Sequence, residues 1–143
     1  LSLESEINIA GNSASSSILN INEIHTDANP LTKTIGSETI IIKRLDDIIE
    51  NYVSNDDRLF VKIDTQGFEK KVIAGGTEVF SKAKLLFLEL SFQELYEGQP
   101  FFDDIYQMLI PLGFKFYGNM GLMKHPKTGM PLDADCLFVN ESI

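Results

Sequence analysis

The sequence predicts an α/β fold built on a mostly parallel sheet with one antiparallel strand at the carboxyl end. Three observations carry that expectation. Two strongly apolar runs, residues 59–63 and 85–90, are each followed by a stretch with helical spacing. From Glu38 onward, β-branched or apolar runs alternate with amphipathic ones in the order β-α-β-α-β-α-β-β. The last two runs have no helix between them, so they should pair as an antiparallel hairpin with a long loop.

Taken in order, residues 1–37 read as a polar, loop-rich segment centred on Asn12-Ser13-Ala14-Ser15-Ser16-Ser17. Two short alternating pieces, residues 6–9 and 18–21, have the period of brief strands around that loop. Residues 25–37 carry Pro30 and Gly36 without a period. They are expected to be an exposed loop, either a solvated connection or a cover over a site.

Residues 38–143 hold the α/β core. Residues 39–43 are β-branched and predict a strand. Asp46 is placed to cap a short helix with Ile48, Ile49, Tyr52 and Val53 on its apolar face. The near-continuous apolar run 59–63 has the character of a buried parallel strand. Residues 68–74 should be helical and stop at Gly75-Gly76. Residues 85–90 give another buried strand. Phe101, Phe102, Ile105, Met108 and Leu109 repeat at helical spacing over 101–110, and Pro111 and Gly113 end that helix. Residues 114–117 and 135–139 are the closing strands. No internal repeat and no linker divides the chain, so a single domain is expected.

Composition narrows the partners. The chain has 143 residues, enough to bury a core, and a formal net charge of −9. Such a field repels phosphate backbones and anionic bilayers, so neither nucleic acid nor membrane is an expected partner. No apolar run reaches the roughly 20 residues a membrane span requires. A single cysteine, Cys136, excludes an internal disulfide and suits a reducing, cytoplasmic setting. With only His25 and His125 beside it, no zinc cage is expected.

The run Leu59-Phe60-Val61-Lys62-Ile63-Asp64-Thr65-Gln66-Gly67-Phe68-Glu69 concentrates the chemistry. A strand interrupted by a lysine ends in a carboxylate, a glycine turn and a second carboxylate opening a helix. Ligands of open α/β sheets sit at the carboxyl ends of strands. Side chains alternate along a strand, so Phe60, Lys62 and Asp64 share one face while Leu59, Val61 and Ile63 share the other. Glu89 shares a face with Phe87 and Ser91. If the two strands are neighbours, Lys62 lies between Asp64 and Glu89. Two readings of that trio stand: an ion-pair network fixing strand register, or a group for binding or proton transfer.

Gly67 lets the backbone turn sharply after Gln66. Glu69 sits in the first helical turn, where the dipole favours its charge, so capping competes with a role at the site. Gln66 offers both donor and acceptor, which suits either the turn backbone or a hydroxylated ligand. Tyr96, with Phe92, Phe101 and Phe102, forms either an aromatic wall over the strand ends or part of the core. His25 and His125 fall in loops and are expected at the surface. Cys136 is expected to be a small core residue.

These pieces resemble the FkbM-type methyltransferases. The resemblance rests on Lys43-Arg44-Leu45-Asp46-Asp47-Ile48, on Val61-Lys62-Ile63-Asp64-Thr65-Gln66-Gly67-Phe68-Glu69, and on Val72-Ile73-Ala74-Gly75-Gly76. Leu88-Glu89-Leu90, Leu112-Gly113-Phe114 and Asp135-Cys136-Leu137-Phe138-Val139 continue it. It implies a Rossmann-like methyltransferase sheet, S-adenosylmethionine as methyl donor, and O-methylation of a hydroxyl on a sugar, polyketide or similar small molecule. It also implies that Asp64, Gln66 and Glu69 form the catalytic signature, with Lys62, Glu89 and Tyr96 toward the substrate.

One departure is plain. The strand and glycine-rich turn that hold the cofactor in this family are not in the chain, and Leu1-Ser2-Leu3 resembles the segment after the family's third strand. The sheet is therefore expected to be incomplete on its amino-terminal side, and the chain to be the carboxyl-terminal portion of a longer protein. The residues that bind cofactor stay unassigned. A non-catalytic module that binds a partner or metabolite is the alternative. The sheet edge left open could also be covered by a second copy of the chain.

Overall fold

The computed structural model describes residues 2–143; Leu1 lies outside them. Two sheets organise the chain. Strands β1 (Ser2–Ala10) and β2 (Thr34–Lys43) form an antiparallel pair of their own. The main sheet holds β3 (Leu59–Ile63), β4 (Ala83–Ser91), β5 (Phe114–Lys124) and β6 (Pro131–Asn140), in the spatial order β3-β4-β6-β5. Helix α1 (Glu23–Ala28) precedes β2. Helices α2 (Glu69–Ala74) and α3 (Thr77–Lys82) connect β3 to β4, and α4 (Phe102–Leu109) follows β4.

The main sheet is mixed, and its carboxyl-terminal strand is the antiparallel one, as the sequence predicts. Strand β3 runs parallel to β4, whereas β6 is antiparallel to both β4 and β5. The closing hairpin explains this: β6 folds back from β5 and inserts between it and β4, so both of its ladders are antiparallel. By direction alone, β3, β4 and β5 agree and β6 is the reversed strand.

Strand alternation then fixes what faces what. Ile63, Leu86, Leu88, Leu90, Ala134, Cys136 and Phe138 are buried on one sheet face. They pack against Ile73 of α2, Phe80 of α3, and Ile105 and Leu109 of α4. Leu59 and Val61 also pack on this side, as their parity requires. Phe60 is 62% exposed on the opposite face.

Several sequence-based expectations need correction. The first 37 residues are not mainly loop: residues 2–10 are strand and 23–28 are helix. Of the two alternating pieces, residues 6–9 lie in β1, but 18–21 contribute only an isolated bridge, Ile21 to Tyr96. The loop expected over 25–37 contains the second half of α1, with His25 buried, and the beginning of β2. Strand period was hidden there by polar residues on both faces of a pair whose partner lies far along the chain.

The helix expected after Asp46 is no more than a 3-10 turn at Ile49–Asn51. Asp46 instead accepts hydrogen bonds from the backbone of Glu78 (3.3 Å) and Val79 (3.1 Å), which caps α3. Gly118 and Gly121, expected in a loop, lie within β5 where its register with β6 shifts.

Candidate functional site

The main sheet brings the carboxyl ends of β3 and β4 beside the beginning of β6. Lys62 stands next to Phe87 in the parallel register, and Glu89 is directly opposite Asp135 in the antiparallel one. The shared face predicted for Phe60, Lys62 and Asp64, and that for Glu89 with Phe87, therefore meet at one place.

Gln66 is its hub. Its amide nitrogen donates to Asp64 Oδ1 and to Glu89 Oε2, each at 2.7 Å. Its side-chain oxygen accepts from the Tyr96 hydroxyl at 2.6 Å. Both donors and the acceptor are thus engaged, which fixes the orientation of the amide. Lys62 Nζ lies 3.0 Å from Asp64 Oδ2, on the solvent side of that carboxylate. All of the candidate residues except Glu69 are joined in this network.

Glu69 turns the other way. Its Oε1 accepts from Thr65 N (3.0 Å), Thr65 Oγ1 (3.0 Å) and Gly67 N (3.2 Å), and the side chain is buried. The carboxylate therefore staples the turn between β3 and α2. That turn is unusual. Gln66 adopts φ 52° and Gly67 φ 94°, both left-handed. A left-handed non-glycine residue costs about 1–3 kcal/mol and persists only where its surroundings hold it. Here the Glu69 staple and the donors from Gln66 supply that hold.

Electrostatics divide the carboxylates. Burial works against the Asp64 charge, but hydrogen bonds from Lys62 and Gln66 prevail and keep its carboxyl below the usual range. Glu89 moves the other way, pushed up to about 8 by burial and by the charges of Asp133 and Asp64. Burial also raises Glu69. The Tyr96 phenol is raised by burial and by the neighbouring carboxylates, so it remains a proton donor. Lys62 is raised by its bond to Asp64. Environments that separate the proton affinities of neighbouring acids are a mark of acid–base sites.

A second wall comes from the amino-terminal segment. Ser17 Oγ donates to the Gln66 carbonyl at 2.6 Å, and the Tyr96 hydroxyl also reaches the Ser15 carbonyl at 2.9 Å. Asn22 donates through its backbone to Leu95 O and through its side chain to Glu94 O. Residues 15–22 are thereby fastened to the turn and to the loop after β4. Beside them lies a cleft of about 620 Å³ between β1, β2 and α2, walled by Ile7, Ile18, Ile42, Phe68 and Val72 and reaching Asp64.

Neither histidine is at the surface. His25 is 5% exposed and meets the Tyr96 ring edge-on, with centroids 5.2 Å apart. His125 is 4% exposed, and its Nε2 bonds Asp27 of α1 at 3.1 Å. Surface placement was expected because both fall outside the periodic segments; packing of α1 onto the strand ends buries them. Tyr96 both packs, in a cluster with Leu95 and Leu132, and bonds into the site. Among the described residues, no three His, Cys, Asp or Glu side chains are placed to hold a metal ion. No helix among them is long and apolar enough to cross a membrane.

The methyltransferase FkbM domain profile matches residues 3–116, from β1 into β5. The chain belongs to the FkbM methyltransferase family. A curated relative, the 2-O-methyltransferase NoeI of Sinorhizobium fredii (strain NBRC 101917 / NGR234), is 42% identical over 65 residues. That segment is 45% of this chain and 26% of NoeI, so the chain spans about a quarter of the relative's length. No solved structure matches the chain. In this FkbM domain, the matched region contains Lys62, Asp64, Gln66, Glu69, Glu89 and Tyr96, while β6 lies beyond it.

Proposed function

We propose that this chain forms the acceptor side of an S-adenosylmethionine-dependent O-methyltransferase acting on a hydroxyl of a sugar, polyketide or similar small molecule. The observation that carries the reading is the Gln66 hub joining Asp64, Glu89 and Tyr96 at the end of a parallel strand pair. Family membership and the 2-O-methyltransferase named among its relatives support it.

An acceptor hydroxyl must be aligned with the methyl group and must lose its proton as the new C–O bond forms. Asp64 stays ionised and partly exposed, so it can accept a hydrogen bond from the hydroxyl and orient it. Glu89, one amide away, is pushed up to about 8, so the ionised fraction that can take up the released proton grows as pH rises toward that value. Gln66 holds the two carboxylates apart and in register. Tyr96 keeps the amide from rotating, and Glu69 holds the backbone that presents it.

The described residues do not fit a complete cradle for the methyl donor. The glycine of the turn after β3 is packed on the side a side chain would occupy, where a Cβ on Gly67 would meet Gln99 Cβ and Leu19 Cδ1 at 3.0 Å. That misfit favours a second reading, a methyltransferase-like module that binds a metabolite or partner without transferring methyl.

The outer edge of β3 carries no strand among the described residues, which suits a homo-oligomer covering it. Light scattering at several concentrations should then show a dimer or larger species; a monomer throughout removes that proposal.

The deciding experiment is Asp64→Asn with methyl transfer to a panel of hydroxylated acceptors as readout. Turnover should fall by about 10²–10⁴-fold, the range of a lost acid–base or orienting group. Unchanged turnover overturns the role of Asp64. Calorimetric titration of S-adenosylmethionine into the chain, with no heat and no turnover, would favour the binding module.

A further inference from the structure

The cleft between the β1–β2 pair and α2 has an apolar middle and two chemically different ends. Leu3 and Ile7 share one face of β1, and Ile42 is the cross-strand partner of Leu3, so all three turn to the same side. Opposite them, Phe68, Lys71, Val72 and Gly75 fall at i, i+3, i+4 and i+7 along α2 and its caps, on one helical face. The two faces enclose about 620 Å³.

Register sets the ends. At one end Ser17 bridges to Asn8, beside Ile7, and donates to the Gln66 carbonyl, with Asp64 and Thr65 lining the cleft. At the other, Lys43 and Arg44 leave β2 next to the stop of α2, where a Cβ on Gly75 would stand 3.7 Å from Arg44 Cα. Helix α2 rises about 9 Å and Leu3 to Ile7 spans about 13 Å, so the ends lie roughly 9–13 Å apart. Lys71, one turn before Gly75, joins the basic end. Among the described residues Lys43 and Lys71 have no ion pair. Arg44 lies 3.6 Å from Asp46 and 3.7 Å from Asp47, beyond good hydrogen-bond length, so its donors are not used up. In a chain of formal net charge −9, three cations lining one cleft make a local site for an anion.

We infer that the cleft receives an acceptor with an elongated apolar body, its hydroxyl at Asp64 and an anionic group at Lys43, Arg44 and Lys71. The inference rests on the acceptor-site reading above and narrows it to hydroxylated amphiphilic anions. Asp64 has room for the hydroxyl: Oδ1 accepts from Gln66 and Oδ2 from Lys62, and each carboxylate oxygen can take a second donor. Contact with Ile18, Ile42, Phe68 and Val72 buries the body of the ligand. The basic end sets its direction, so that the hydroxyl and not the anion meets Asp64.

The test is a nuclear magnetic resonance titration of the chain at neutral pH with ω-hydroxydecanoate, the matching decanediol and D-glucose, without methyl donor. The hydroxy acid should bind about tenfold or more tightly than the diol or the sugar, the worth of one charge-assisted hydrogen bond. Shifts should centre on Ile18, Ile42, Phe68 and Val72. Lys43→Gln combined with Lys71→Gln, both at exposed positions, should abolish the preference over the diol. Lys115→Gln, on β5 and outside the cleft, should leave it intact. Equal affinities, no detectable binding of the acid, shifts outside the cleft, or a preference that survives the double variant would overturn the inference. Displacement of the acid by S-adenosylmethionine would give the cleft to the donor, and shifts that follow protein concentration alone would give it to a second copy; either overturns it too. The comparison within the wild-type chain is decisive even if the variant fails to fold. Binding is read without turnover, so this result and the methyl-transfer proposal can fail separately.

Discussion

Tyr96 places its hydroxyl 2.6 Å from the Gln66 side-chain oxygen. The single phenolic proton is shared between that oxygen and the Ser15 carbonyl at 2.9 Å. One side chain therefore connects the loop after β4, the turn after β3 and the amino-terminal segment.

Tyr96→Phe removes that proton and leaves two acceptors without their donor. The expected loss is about 1–2 kcal/mol of stability in urea unfolding. Methyl transfer should fall about tenfold, because the Gln66 amide loses the bond on its oxygen and with it part of what fixes its orientation. A variant with wild-type stability and turnover would show that the hydroxyl holds nothing.

Glu89→Gln should alter how stability depends on pH. The native carboxyl titrates near 8 and the ordinary one near 4.5, so between these values the native state holds more protons than the unfolded one. Stability contributed by this group is full below about pH 4.5 and is lost as pH rises toward 8. The glutamine variant lacks that loss while its side-chain oxygen still accepts from Gln66. At pH 8.5 it should exceed the wild type by on the order of 1–2 kcal/mol after allowing for solvent screening, with a higher Tm. The advantage should vanish near pH 4.5, as thermal melts across pH would show.

Gly67→Ala forces a side chain onto φ 94° and into contacts of 3.0 Å with Gln99 and Leu19. Destabilisation should exceed about 1 kcal/mol. Faster amide hydrogen exchange at residues 64–69 would localise the damage to the turn.

Asp46→Ala should cost about 1 kcal/mol through loss of the α3 cap. Denaturant titration measures that cost.

The sequence showed the sheet strands and the face they present because burial imposes a period on them. Leu59, Val61 and Ile63 against Phe60, Lys62 and Asp64 is an alternation that requires no tertiary knowledge. Helix α3 was hidden for the opposite reason. Its cap, Asp46, comes from a distant segment, so Gly75-Gly76 read simply as the end of α2. The expected helix after Asp46 failed with it, since that carboxylate was already committed elsewhere. Strand β1 and the burial of His25 depend on pairings across long stretches of polar sequence. Asp133 had a local signal, its two-residue spacing from Asp135, but only the β4–β6 register shows that both stand behind Glu89. The left-handed Gln66 had none, because glutamine rarely adopts that conformation.

The inward Glu69 changes what a match to Asp64-Thr65-Gln66-Gly67-Phe68-Glu69 signifies. The spacing is a ruler for loop shape first and for reactivity second. A chain that kept the last acid but lost the first would preserve the same bend with nothing there to orient an alcohol. Pattern matching alone would rank such a protein beside active enzymes.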